Sequence, residues 1–231
     1  MRMRFAATPA SLLVLVALVV VLAGCGEKPE PKIAGAADRC SGPALVAFGH
    51  SYVQGNAPGA PAKPWPARVA KELGVCDDNR GVSGSQSSNT AGFVAGYTPA
   101  KQDVIVIETI LNDVFVTGVR GIPAFRKQIA GMFEHLTTAG EDPKKIAVVI
   151  DPPPAAWTGR PNQVPPFVHG SDGTLDQYAK ALEDVAVGEY GATIVDLRTG
   201  WSTDRDLLPD ELHPNEAGTA RIARAVTRAV S

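Results

Sequence analysis

Histidine and cysteine are both scarce in this chain, with four histidines and three cysteines among 231 residues. Histidine-dependent chemistry therefore has only four places to occur, positions 50, 135, 169 and 213. There is no H-E-x-x-H motif, so the compact helical signature of a zinc hydrolase is missing. A metal site would have to be assembled from His50, Asp210 and His213; no metal and no other cofactor is expected. No basic run exceeds Lys144-Lys145 and the net charge is -2, which leaves no clustered positive surface for nucleic acid. A Gly-x-Ser-x-Gly elbow is absent as well, which argues against an α/β-hydrolase. No internal repeat is visible.

What is present begins with one long apolar run. Arg2 and Arg4 precede "SLLVLVALVVVLAGC", which joins a charged start, an apolar middle and a small-residue end in the manner of a secretory signal. The run is too short to favour a spanning helix. Leu22-Ala23-Gly24-Cys25 resembles the lipobox of bacterial lipoproteins, in which the cysteine is acylated and becomes the first residue. That resemblance implies a signal peptide at 1–24, a lipid on Cys25, and an exported protein anchored to the cell membrane outside the cytoplasm. The alternative is a plain signal peptide that happens to contain Cys25. Residues 25–39 are rich in Pro, Gly and charge and read as a flexible tether. The folded domain is expected over 40–231. Losing Arg2 and Arg4 with the leader would move the net charge from -2 to -4. With Cys25 lipidated, Cys40 and Cys76 remain as an even pair in an oxidising compartment, the alternative being two separate buried thiols.

Beyond the tether, short apolar runs alternate with helical patterns. Strands are expected at 43–49, within 78–84, and at 103–110, 145–151 and 192–197. Helices are expected at 64–74, weakly at 86–96, then at 122–140, 174–191 and 214–230. Phe125, Ile129, Met132, Phe133 and Leu136 fall at three- and four-residue spacings, the mark of an amphipathic helix. Five strands separated by helices imply a parallel sheet covered on both faces, a three-layer α/β/α sandwich. The proline-rich stretch 151–173 is too long for a simple connection and reads as a binding rim.

Ligands of such sheets gather beyond the carboxyl ends of the strands. There the sequence places Gly49-His50-Ser51, then Gly84, then Asn112 and Asp113, then Asp151, and finally Asp210 and His213. A serine hydroxyl needs a base within hydrogen-bond reach to act as a nucleophile. His213 is the best candidate. His135 reads as a helix-surface residue, His169 as a substrate contact, and His50 points away from Ser51 if the segment is extended. Pro214 is expected to start the last helix, so that the helix N-terminus keeps the His213 imidazole neutral. Asp210, three residues earlier, can orient that ring. Ser51, Gly84 and Asn112 can donate N–H groups to an oxyanion. Trp65, Tyr97, Trp157 and Phe167 could line the pocket or serve as packing.

These blocks resemble the SGNH (GDSL-like) hydrolases: Ser51 in "FGHSYVQG", Gly84 in "GVSGSQSS", Asn112 in "ILNDV", and Asp210 with His213 in "DELHP". The chain departs from the family pattern where His50 replaces an aspartate and Ile110 a glycine. The resemblance covers nearly the whole mature domain and implies a flavodoxin-like five-stranded parallel sheet. It also implies a serine esterase or lipase acting on lipid or O-acylated envelope carbohydrate through an acyl-enzyme, with Ser51, Asp210 and His213 catalytic. Its partners would be a small-molecule or glycan ester and the membrane lipid, and the protein is expected to be a monomer. The other reading is a catalytically silent lipoprotein that binds envelope carbohydrate or lipid. The family's sheet order would put Cys40 and Cys76 at the same end of neighbouring strands, close enough for a disulfide.

Overall fold

The computed structural model describes residues 42–155, 157 and 168–231. The expected signal peptide, Cys25, the tether, Cys40 and Phe167 lie outside those residues. Five strands form the sheet: β1 (Ala44–Gly49), β2 (Cys76–Gly81), β3 (Val104–Glu108), β4 (Ile146–Ile150) and β5 (Thr193–Asp196). All neighbours run parallel, in the order β2-β1-β3-β4-β5. The five expected strands are all found; four are trimmed by one or two residues, and β2 starts at Cys76, two residues before the stretch in which it was expected.

Alternation along the strands divides the core between two layers. In β1, Val46 and Phe48 face one layer while Leu45 and Ala47 face the other. The first layer is covered by α3 (Ser87–Ala95), α5 (Ile122–Thr138) and α6 (Asp172–Leu182), which contribute Val94, Phe133 and Leu182 among others. The second is covered by α2 (Trp65–Leu73) and α8 (Glu216–Val230), through Trp65, Val69, Ile222 and Val226. In α5 the five apolar residues singled out by their spacing are all buried. The fold is therefore the expected three-layer α/β/α arrangement.

Three short helices were not legible in the sequence: α1 (Ser51–Gln54), α4 (Leu111–Thr117) and α7 (Thr203–Asp206). They carry too few residues to show a period. The pattern at 174–191 also splits, because α6 ends at Leu182 and a seven-residue π-helix, Glu183–Glu189, follows it. The last helix begins later than expected. Pro214 lies outside it, in an antiparallel bridge with Leu207, and Asn215 is the cap, accepting from the Ala217 and Gly218 amides.

The strand order reverses at β1, with β2 on one side and β3 on the other. Open parallel sheets bind ligands at such a switch point. Ser51 follows β1 and Asn112 follows β3, so the topology puts the turns that carry them at the ends of neighbouring strands. Packing is tight where β1 ends. A Cβ on Gly49 would come within 2.1 Å of the Glu108 carbonyl oxygen, so no other residue fits between the two strands there.

Candidate active site

Ser51 is the first residue of α1, immediately after the buried end of β1. Its hydroxyl lies 3.0 Å from His213 Nε2. The opposite ring nitrogen, Nδ1, lies 2.6 Å from Asp210 Oδ2. Burial pushes the Asp210 carboxyl up, but hydrogen bonds from the His213 ring and from the His213 and Leu212 amides outweigh it and hold the group below the usual carboxylate range. An ionised carboxylate can only accept, so Nδ1 carries the imidazole hydrogen and Nε2 is left to accept from Ser51. That is the tautomer a general base requires.

The loop carrying Asp210 and His213 is held without regular secondary structure. The Leu208 amide donates to the His213 carbonyl at 2.8 Å, and the bridge between Leu207 and Pro214 closes the loop base. Asp210 Oδ1 accepts from the Leu212 and His213 amides at 3.0 and 2.9 Å. Glu211 sits in the left-handed region, φ 60°, which makes the turn between them. The Tyr52 hydroxyl donates to the Leu212 carbonyl at 2.5 Å and ties the loop to α1. The expected place of His213 at the start of the last helix does not hold. Asn215 takes up the first amides of α8, and His213 stands two residues before that cap.

The residues on either side of Gly84 tie its turn to α1 and to Asn112. The Ser83 amide donates to Gln54 Oε1, in α1, at 2.8 Å, and Asn112 Nδ2 donates to the Ser85 carbonyl at 2.9 Å. An amide group has two donors, and one of those on Asn112 is engaged in this way. Gly84 has φ 79°, while a Cβ there would meet nothing within 4 Å. Glycine is required by the backbone conformation and not by lack of space.

His135 and His169 lie on other elements. His135 is half-buried, not a free surface residue, with Nε2 2.8 Å from the Tyr97 carbonyl. His169 is exposed, its amide donating to the Phe115 carbonyl. Trp65 and Tyr97 are buried core residues. Trp157 packs on Phe115 with ring centroids 5.0 Å apart, and its indole donates to Asp172 at 2.5 Å. Among the described residues no group of three or more His, Cys, Asp or Glu could hold a metal ion.

Sequence reasoning placed His50, Asp113 and Asp151 at the strand ends but not in a buried polar layer, and it missed Glu108. His50 and Asp151 are fully buried, with Nε2 3.1 Å from Oδ1. Glu108, also fully buried, accepts from the Trp65 indole at 3.0 Å. Burial, and next the charge of Asp151, push the Glu108 carboxyl well above its usual range and favour its protonated form. Asp113 accepts from the Ser87 amide and hydroxyl, both at 2.7 Å, and burial pushes its carboxyl up to about 6 despite those bonds. A signal existed: polar residues standing at the ends of apolar strands, at His50, Glu108 and Asp151.

No curated protein matches the sequence. Among solved structures, a lipase/acylhydrolase from Enterococcus faecalis is similar at 18% identity, covering 81% of this chain and 94% of that one, TM-score 0.63. A catalytic mutant of an acetylxylan esterase from Geobacillus stearothermophilus matches at 19% identity over 83% and 95% of the two chains, TM-score 0.60. A family 3 carbohydrate esterase from Clostridium thermocellum matches at 15% over 80% and 93%, TM-score 0.58. At these identities the likeness is one of fold. The sequence model of the GDSL-like lipase/acylhydrolase family matches residues 47–221, a span that opens just before Ser51 and closes inside α8, and the chain belongs to that family of ester hydrolases.

Proposed function

We propose that this ester hydrolase works through an acyl-enzyme on Ser51, with His213 as general base and Asp210 as its orienting carboxylate. The observation that carries this is the continuous contact Ser51–His213–Asp210, at 3.0 and 2.6 Å. Ser51 Oγ attacks the ester carbonyl as its proton passes to His213 Nε2, and Asp210 stabilises the imidazolium so formed. The imidazolium then returns the proton to the departing alcohol, leaving an acyl ester on Ser51. Water, deprotonated by the same nitrogen, releases the acid. The amides of Ser51 and Gly84 and the second N–H of Asn112 supply the oxyanion donors.

The substrate reading is a short acyl ester on envelope carbohydrate, in preference to a long-chain lipid ester. A recess beside Ser51 and His213 is walled by Tyr52 and by Gly55, Ala57, Ala60, Pro61 and Pro64, a short-chained wall that favours a small group. Two similar folds are named as carbohydrate esterases, one of them for acetylxylan. The charged start, apolar run and Cys25 support export and lipid anchoring, with residues 25–39 as tether and 40–231 as a monomeric domain. A Cys40–Cys76 disulfide fits the register. Cys76 opens β2 opposite Ala44, and its amide donates to the Pro43 carbonyl at 3.0 Å.

The test is fluorophosphonate labelling of the wild type and Ser51→Ala, followed by hydrolysis of p-nitrophenyl esters from acetate to palmitate. Labelling at Ser51, with turnover falling beyond short chains, is expected. An unlabelled Ser51 at neutral pH would replace the enzyme with a binding module.

A further inference from the structure

The buried polar layer beneath Ser51 has a geometry that the esterase chemistry does not use directly. Asp151 leaves the end of β4 and accepts three hydrogen bonds from two different parts of the site. Oδ1 accepts from His50, and Oδ2 accepts from the amides of Ile110 and Leu111, each at 3.1 Å. His50 is the cap of α1, its Nδ1 accepting from the Tyr52 amide at 3.4 Å. With Nδ1 accepting, Nε2 must carry the ring hydrogen and donate to Asp151. His50 immediately precedes Ser51. Ile110 and Leu111 open α4, whose second residue is Asn112.

We propose that Asp151 is a positioning residue that fixes the nucleophile relative to the oxyanion donor, holding Ser51 through His50 and Asn112 through the first amides of α4. No covalent connection shorter than about 60 residues joins those two segments, and the sheet alone sets only their strands in register. One carboxylate bonded to both turns removes the remaining freedom. The setting makes the link rigid: His50, Asp151 and Glu108 are all fully buried, and Trp65 holds Glu108 in place from the other side. His50 is thus not a casual departure from the family's aspartate at this position. It supplies two ring nitrogens at fixed separation, one to cap α1 and one to reach Asp151.

This inference rests on the esterase reading, and the experiment separates the two. Asparagine at position 50 reproduces the Nδ1 acceptor but cannot reach Asp151, whereas glutamine reproduces the Nε2 donor and loses the cap. Kinetics on p-nitrophenyl acetate are compared for the wild type, His50→Phe, His50→Asn and His50→Gln, with folded enzyme counted by circular dichroism. His50→Phe should lose about 100-fold in kcat, the scale of a displacement near 1 Å, with KM within about threefold. His50→Gln should recover most of that loss and His50→Asn little of it. If His50→Phe does not fold, the Asn and Gln variants decide, together with Asp151→Asn, which keeps the volume but satisfies only one of the two turns and should lose kcat comparably. A kcat per folded molecule unchanged in these variants, or rescue by Asn and not Gln, overturns the positioning role while leaving the esterase intact. A wild type that neither labels nor turns over overturns the esterase reading and the inference with it.

Discussion

Two aspartate–histidine pairs flank Ser51, and they differ in almost everything except composition. Asp210 and His213 sit three residues apart on a loop, with side chains 32% and 19% exposed. Asp151 and His50 are 101 residues apart, and their side chains are 0% and 1% exposed. The first pair can meet a substrate and exchange protons with water. The second is sealed under the strand ends and can only bind its neighbours. The contrast teaches that residue type does not assign the role of a histidine beside a nucleophile; access does.

The comparison predicts opposite balances of activity and stability, and the largest effect lies on the exposed side. Ser51→Ala and His213→Ala should each lower kcat by about 10⁴-fold or more, and the double variant should be no worse, because the groups act as one unit. Steady-state kinetics on a short-chain ester would show this; near-normal turnover in either variant would remove the triad. Asp210→Ala should be milder by about 10- to 100-fold, since it orients the base and transfers no proton. Its cost in unfolding free energy should stay within about 1 kcal/mol, as for other exposed pairs.

The buried pair should invert that pattern. His50→Phe leaves the buried Asp151 carboxylate without its ring donor, and losing one hydrogen bond to a buried polar group costs about 3 kcal/mol. Urea unfolding of His50→Phe beside Asp210→Ala would break the comparison if the two lost similar stability. A control is the proposed Cys40–Cys76 bridge, whose reduction would open a loop of about 37 residues. The chain-entropy model gives about 3–4 kcal/mol for such a loop. The melting temperature should drop while turnover of the folded protein at low temperature stays unchanged; lost turnover without melting would place the bridge near the site.

The smallest expected effect belongs to Asp113, the carboxyl raised by burial to about 6. A carboxyl raised in the folded state contributes stability that is full below its unfolded value of about 3.9. That contribution fades as pH rises through about 6. Asp113→Asn should therefore flatten the dependence of melting temperature on pH between about 4 and 6. An unchanged slope would mean that Asp113 is not the group titrating there.

By itself the sequence determined the strand and helix alternation, and the four blocks now gathered at the switch point. Apolar runs and helical spacing are local properties, set by which side chains must leave water, so β1 to β5 and the buried face of α5 could be read directly. Asp210 and His213 were legible for the same reason, since three residues of chain suffice to bring them together. What only the tertiary structure decided was the fate of polar and aromatic residues whose partners are distant. Trp65 and Tyr97 read equally well as pocket or core until the layers closed over them. Pro214 read as a helix start until the bridge to Leu207 claimed it. His50 showed its role only when Asp151, from the far side of the sheet's switch point, reached it. A buried hydrogen bond takes its strength from the exclusion of water by the whole fold, and no stretch of chain carries that information alone.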